Sequence, residues 1–468
     1  MIDLRRPGQR RFGEGFIEEE TASLWEPWMR HADQVLEDEQ LVMAVYEALL
    51  KRRPRSRTRG RRGVAAEIVL RMMLLKHIRN WSFQDLEREV RPNLLYREFT
   101  RIGSGKVPDA KTLGRQAQAL GPEVVQQIHQ RMVELAVENK VVRGRKMRVD
   151  TTVVETNIHY PTDSSLLGDG DRVLTRLLKK VTEIVGAAGT KLRDRMRSVQ
   201  RRVAEIARAS RAKGEKGKQR IEPLYRKLLG ITGRVMGQAK RFSSEIGSGV
   251  KRSSDVLRQA ALEGLKREID DMVETAKKVV HQTKARVFGG DTHVEGKILS
   301  VFETSTEVIR KGKASKPTEF GKMVKIQEAE NQIVIDFEVY DQKPSDSDLL
   351  IPSIEAHQAL MGRTPDLAAA DAGFYSAKNV AEAEEMGVKR VSIPNRSTKS
   401  LARRKHQKQR WFKKGQKWRT GCEGRISLLK RRHGLRRSLY KKDAGMKRWV
   451  GLGVIADNLI NIGRALAN

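Results

Sequence analysis

Apolar side chains recur at helical spacing through the first third of the chain. Between residues 17 and 50, Leu24, Trp25, Trp28, Val35, Leu36, Leu41, Val42, Val45, Tyr46 and Leu49 fall near one helical face. The pattern resumes over 64–79 through Ile68, Val69, Met72, Met73 and Ile78. Ser82, with Asp85 three residues on, predicts a capping box that opens a short helix over Phe83–Val90. Asp109 can cap another over 110–120, and Pro122 suits the first turn of one running to about Glu138. Short helices joined by tight turns fit a helix-turn-helix reader of DNA, and a compact helical bundle equally.

At residue 145 the period changes. The stretch RKMRVDTTVVE (145–155) alternates and is rich in β-branched side chains, which predicts a strand. Residues 171–287 revert to long charged helices with heptad-like Leu, Ile and Val, broken near Gly214 and Gly247. They read as a helical insertion or coiled-coil hairpin without evident chemistry. Strand signals return at 298–303, 322–327 and 332–340. A helix is expected over 344–361, then a buried strand over 365–371 that ends in an acid, a helix over 376–386 and a short strand over 389–393. Strands alternating with helices imply a mixed α/β sheet interrupted after its first strand by the helical block. The expected organisation is a helical N-terminal DNA-binding region over 1–140, a core from 141–170 and 288–448, an insertion over 171–287 and a C-terminal helix over 449–468.

Charge narrows the function. The 468 residues hold 93 Lys and Arg against 58 Asp and Glu, a net charge of +35. The segment KRRPRSRTRGRRG (51–63) has eight basic residues and no acid, with Arg52, Arg53, Arg55, Arg57, Arg59, Arg61 and Arg62 as candidate phosphate contacts. Residues 396–448 hold 21 Lys and Arg with only Glu423 and Asp443 as acids, a net +19, and Trp411, Phe412 and Trp418 interleave with the cations. Aromatics among cations suit a surface that stacks bases while tracking phosphates. A basic linker and a solvated face are the plainer alternatives for the two regions. Charge this dense repels itself unless a polyanion neutralises it, so nucleic acid is the expected partner, DNA and RNA being equivalent by charge alone. No run of about 18 uncharged apolar residues suggests a bilayer span. Residues 1–6 lack the apolar stretch of a secretory signal. A single cysteine, Cys422, makes neither an intramolecular disulfide nor a cysteine zinc site. A cytoplasmic, nucleoid-associated protein is expected.

Against this basic background a few acids stand apart. Asp150 follows Val149 in the first strand, Asp371 ends an apolar strand, and Glu423 is isolated in the most cationic part of the chain. Hard cations such as Mg²⁺ take one or two carboxylates each and complete their shells with water and phosphate oxygens. Two such ions about 3.5–4 Å apart can serve in-line phosphodiester displacement. Gln416, Arg419, Glu423 and Lys430, at offsets 0, 3, 7 and 14, would share one side of a helix. Gly421 and Gly424 each weaken a helix interior by about 1 kcal/mol. Either they permit close approach to the sheet, or the helix starts only near Glu423. Among neighbouring residues, His159 to Asp163 read as a loop, with Asp163 a weak accessory candidate. Glu155 points to the face opposite Asp150. His433 reads as a phosphate contact, Ser376 as a helix cap, and Cys422 lacks a base partner.

The segments VDTTVVETNIHYPTDSSLL around Asp150, ADAGFYS around Asp371, and R-x₃-E-x₆-K at Arg419, Glu423 and Lys430 together resemble a DDE transposase of a bacterial insertion sequence. The nearest group carries a Tyr-x₂-Arg-x₃-Glu-x₆-Lys signature, whose tyrosine is Gln416 here. Residues 64–99, with NWSFQDLEREVR, are similar to the N-terminal helical region of that group, and the resemblance covers most of 60–465 in order. It implies an RNase H-like core in which Asp150, Asp371 and Glu423 bind two Mg²⁺ or Mn²⁺ ions. It also implies strand cleavage at transposon inverted-repeat ends, attack on target DNA by the freed 3′-hydroxyl without a covalent protein–DNA intermediate, and a homodimer or higher oligomer on DNA. Arg419, Lys430 and Trp418 would contact DNA. A catalytically silent DNA-binding descendant, or an RNase H-fold nuclease without strand transfer, is the competing reading.

Overall fold

The alternation at 145–155 becomes β1 (Lys146–Glu155), the strand on which the sheet is organised. The computed structural model describes residues 1–6, 21, 23–52, 54, 62–186, 188–211, 215–310 and 318–467, the side chains of 215–218 aside. Two compact units result, one of residues 1–157 with 307–468, the other of residues 158–306.

In the first unit β2 (Glu307–Arg310), β3 (Thr318–Glu328), β1, β5 (Leu367–Ala369) and β6 (Arg390–Ser392) lie side by side in that order, and β4 (Val334–Val339) also pairs with β3. β1 is antiparallel to β3 and parallel to β5, which is parallel to β6. It is a mixed α/β sheet. Alternation along β1 divides its side chains between two cores. Met147 and Val149 pack with Ile354, Ala370, Phe374 and Val391 under the helices Leu350–Met361 and Ala377–Glu385. Val154 packs on the other face with Ile326, Cys422, Ile426 and Leu429.

That second face is crossed by one long helix, Arg410–Arg432, which meets β6, β5, β1 and β3 in turn. Two of its glycines make the crossing possible. A Cβ on Gly415 would lie 2.7 Å from Ser392 Oγ, and one on Gly421 would overlap the Arg148 guanidinium. The helix therefore continues unbroken through Gly421 and Gly424, because close approach to the sheet offsets the weak propensity of glycine. A buried ionic chain then locks it down. Arg148 on β1 donates to both oxygens of Glu328 on β3 at 2.8 and 2.9 Å. Arg425 on the helix lies 3.4 Å from Glu328 and donates to Asp457 at 2.8 and 3.0 Å. Burial pushes the Glu328 carboxyl up, and the two arginines pull it back.

The N-terminal helices belong to this same unit. Pro27–Val35, Glu39–Arg52, Ala66–Arg79 and Pro122–Glu138 share a core with the C-terminal helix Lys442–Ala467 through Trp28, Leu70, Met73, Ile128, Leu452 and Leu459. Residues 1–140 are thus not the separate region that the change of period suggests. The Ser82–Asp85 capping box and the Asp109 cap form as the sequence predicts. Lys442–Ala467 starts seven residues before the expected 449. It is long and apolar enough by composition to cross a membrane, but most of its apolar window is buried as the core of the unit.

Among its described residues, the second unit contains four helices, Asp163–Val185, Met196–Ala209, Glu215–Gly247 and Val256–Gly289. It is wider than the expected 171–287, since a Thr162 capping box starts the first helix and Leu166 and Leu167 join its core. The strand expected over 298–303 is absent. Both the amide and the carbonyl of Ile298 bond to the Gln282 side chain, and Ile298 and Val301 fill the helical core instead. Strand β2 begins only at Glu307.

Two consequences can be measured. Arg425→Met strands the buried Asp457 and leaves Glu328 with one arginine. The expected loss is about 3–5 kcal/mol, read from urea denaturation. In the helical unit, Asp171 is fully buried with Thr232 Oγ as its 2.9 Å partner, and burial raises its pKa to about 7 against a reference of 3.8. The folded carboxyl thus keeps its proton while the unfolded one has lost it. Stability falls as pH rises from about 4 to 7 and levels off above. Asp171→Asn should abolish this slope in hydrogen-exchange protection of the unit.

Candidate active site

Asp150 lies within β1 beside the point where β5 ends. Arg148 pairs with Ala369 in the parallel β1–β5 ladder, and two residues on from each stand Asp150, on the Arg148 face of β1, and Asp371, just past the end of β5. The helix Arg410–Arg432 covers that face of β1. Asp150 Oδ1 accepts from the Thr151 amide at 2.7 Å, and Asp371 Oδ1 accepts from the Gly373 amide at 2.8 Å as the cap of a turn over Ala372–Phe374. Asp371 follows the carboxyl end of β5, where open α/β sheets bind ligands, and Asp150 lies on β1 just past its parallel ladder with β5.

The helix brings Glu423 to this edge through Arg419. Arg419 Nη1 lies 3.7 Å from Asp150 Oδ2 and Nη2 donates to Glu423 Oε1 at 2.8 Å. Its side chain is 11% exposed, whereas that of Glu423 is 59% exposed. Glu423 is therefore positioned by an ion pair rather than by packing. Gln416, at the signature's tyrosine position, donates Nε2 to the carbonyls of Ala370 (3.2 Å) and Ser392 (2.5 Å), and so tethers the helix to the ends of β5 and β6 beside Asp371. Lys430 follows on the same side of the helix, about 10 Å beyond Glu423.

A fourth acid, not singled out by sequence, borders the site. Thr151 Oγ1 donates to Asp346 Oδ1 at 3.0 Å, and a Cβ on Gly373 would lie 3.1 Å from both Asp346 Oδ2 and Asp371 Oδ1. Asp346 thereby joins the segments carrying Asp150 and Asp371. Its only sequence signal was an acid-rich stretch, Ser345 to Asp348, ahead of the helix at 350.

All these donors are carboxylate oxygens, the chemistry of a hard divalent cation. Among the described residues, no three His, Cys, Asp or Glu side chains already converge closely enough to hold a metal. The guanidinium of Arg419 stands between Asp150 and Glu423 and supplies the positive charge there.

The other candidate residues meet mixed outcomes. Trp418 is partly buried, and the Arg148 guanidinium lies 4.7 Å from its ring centre. Phe412 is buried. His433 is buried too, 3.1 Å from the His77 carbonyl and 3.5 Å from Asp457, where no phosphate could reach it. Asp163 lies in the helical unit, paired with Arg286 at 3.0 Å. Ser376 caps its helix by accepting from the Asn379 amide. Of the basic segment, Arg53, Arg55, Arg57, Arg59 and Arg61 lie outside the described residues. Arg52 and Arg62 are exposed and line one cleft with Arg6, Lys106 and Arg115.

Residues 26–118 match the family described as Transposase domain (DUF772), and residues 294–459 match the Transposase DDE domain. Asp371 and Glu423 fall inside the second match, whereas Asp150 and most of the helical unit lie between the two. No curated protein and no solved structure matches the chain.

Cys422 tests the placement of the helix. The thiol is buried beside Glu423, and burial, with Glu328 and Asp150 adding to it, pushes its pKa well up. As the chain's single cysteine, it should resist a thiol reagent in the native protein and take up one equivalent in guanidinium. Rapid native labelling would contradict the packed helix.

Proposed function

The chain is a DDE transposase of the insertion-sequence type, and from that premise we propose that Asp150, Asp371 and Glu423 are its catalytic acids. A transposase of this kind cleaves DNA strands at the ends of its element and transfers them to target DNA, and such enzymes in general use divalent metal ions. We infer that two ions, Mg²⁺ or Mn²⁺, are held by these three carboxylates, all hard oxygen donors. When bound, the ions would activate the attacking oxygen and stabilise the leaving one.

The reading is carried by one observation: the β1–β5 ladder ends at Arg148 and Ala369, two residues before Asp150 and Asp371, beside the helix that carries Glu423. An antiparallel β4–β3–β1 half continuing into parallel β1–β5–β6 supports an RNase H-like core for that face. Within it, Asp346 orients the Thr151 and Gly373 segments, and Gln416 fixes the helix to β5 and β6. Arg419 offsets the repulsion between Asp150 and Glu423. Beside the acids, Arg419 would also draw a phosphate of the strand toward them. Lys430, two turns along, continues the same track. Arg52 and Arg62 with their cleft form a separate DNA contact, to which Arg53, Arg55, Arg57, Arg59 and Arg61 contribute charge. Joining two inverted-repeat ends to one target calls for a dimer or higher assembly on DNA, acting in the nucleoid.

The deciding experiment substitutes Asp150→Asn, Asp371→Asn and Glu423→Gln singly. Each variant should bind element-end DNA in EDTA with wild-type affinity and lose Mg²⁺-dependent cleavage below detection. Normal cleavage by any of the three removes that residue from the site.

A further inference from the structure

The helical unit of residues 158–306 lies largely between the two family matches, and no role follows for it from them. It carries 31 Lys and Arg against 18 Asp and Glu, a net charge of +13. We propose that this unit holds a DNA contact of its own, a phosphate-binding patch formed by Arg193, Arg195, Arg234 and Arg241. The proposal takes from the transposase reading only that the partner is DNA.

The patch is built. On the helix Glu215–Gly247, Arg234, Gln238 and Arg241 stand at i, i+4 and i+7, on one face. Gln238 is buried between the two arginines and works in both directions. Its Oε1 accepts from Arg195 Nη1 at 3.0 Å, and its Nε2 donates to the Lys191 carbonyl at 2.9 Å. These bonds pin the segment before helix Met196–Ala209 onto the face that carries Arg234 and Arg241. Arg195 also donates to the Arg193 carbonyl at 3.1 Å, which fixes the turn between them. Arg193, Arg234 and Arg241 remain exposed.

The acids that could neutralise these cations are engaged elsewhere. Asp194, between Arg193 and Arg195, pairs with Lys179 at 2.7 Å. Glu245, one turn beyond Arg241, accepts from the Thr190 amide and hydroxyl and lies 3.3 Å from Lys251. Among the described residues, no carboxylate comes within ion-pair distance of the four guanidinium groups. Burial, then Arg193, Arg234 and Arg241, depress the Arg195 pKa, which marks like charges held together. Mutual repulsion of this kind is relieved by a polyanion. All four residues are arginine, whose planar fork suits phosphate better than the point charge of lysine.

The test uses the full chain and a short duplex of arbitrary sequence in EDTA, where no strand is cut, so a negative result leaves the cleavage reading untouched. Arg193→Gln, Arg234→Gln and Arg241→Gln are combined, with Arg195 kept because it holds the turn. Each lost phosphate contact removes about 0.9 from the slope of log K against log salt. The combined variant should therefore lose about 2–3 from that slope, with its melting temperature unchanged or raised. The matching triple change to Lys should keep most of it. An unchanged slope and affinity would overturn the proposal, as would equal losses in the Gln and Lys variants, which would mean damage to the fold. Loss of self-association with DNA binding intact would also overturn it, assigning the patch to contact between copies.

Discussion

A buried chain of charges, Arg148–Glu328–Arg425–Asp457, holds the site together. It joins β1, β3, the helix Arg410–Arg432 and the C-terminal helix through hydrogen bonds that depend on direction. Apolar packing alone would let a long helix slide along a sheet face with little penalty. Paired charges removed from water do not allow this, since any shift strands an ion in a medium that cannot solvate it. Arg148 stands two residues before Asp150, and Arg425 two residues after Glu423. Fixing the register of that helix on β1 therefore fixes which acid meets which.

Glycine makes the contact close enough for those charges to pair. Gly415 leaves room for Ser392, and Gly421 leaves room for the guanidinium of Arg148, which continues to the Trp418 carbonyl. With larger side chains the helix would ride higher on the sheet, and the Gln416 and Arg425 contacts would open together. Glu423 differs from the residues that position it. It is largely exposed and, among the described residues, held by its ion pair with Arg419, so it is the least fixed of the three acids.

The two compact units divide the work of charge. Around the acids, arginines pair with carboxylates, and their role is positional. In the helical unit, four arginines are held together while nearby acids pair with lysines. A protein with net charge +35 needs both arrangements. Paired cations organise its fold, and unpaired ones leave a field for a polyanion.

Local chemistry wrote much of this chain into its sequence. The Ser82 and Asp109 caps, the Pro122 start, the alternation of β1 and the apolar strand before Asp371 are decided by neighbours a few residues apart, so they were legible without a fold. Asp150, Asp371 and Glu423 stood out as candidates because each lies on or after a strand or alone among cations. Other features depended on partners far along the chain. Gln282 satisfies both backbone groups of Ile298 and removes a strand that β-propensity predicts. Packing against the C-terminal helix merges residues 1–140 with the sheet. Asp346 gains its place only when Thr151, 195 residues away, reaches it. Burial turns Phe412 and His433 from candidate DNA contacts into core. Periodicity reports which face of an element is apolar, and only the tertiary structure decides what that face meets and which charges are left for solvent.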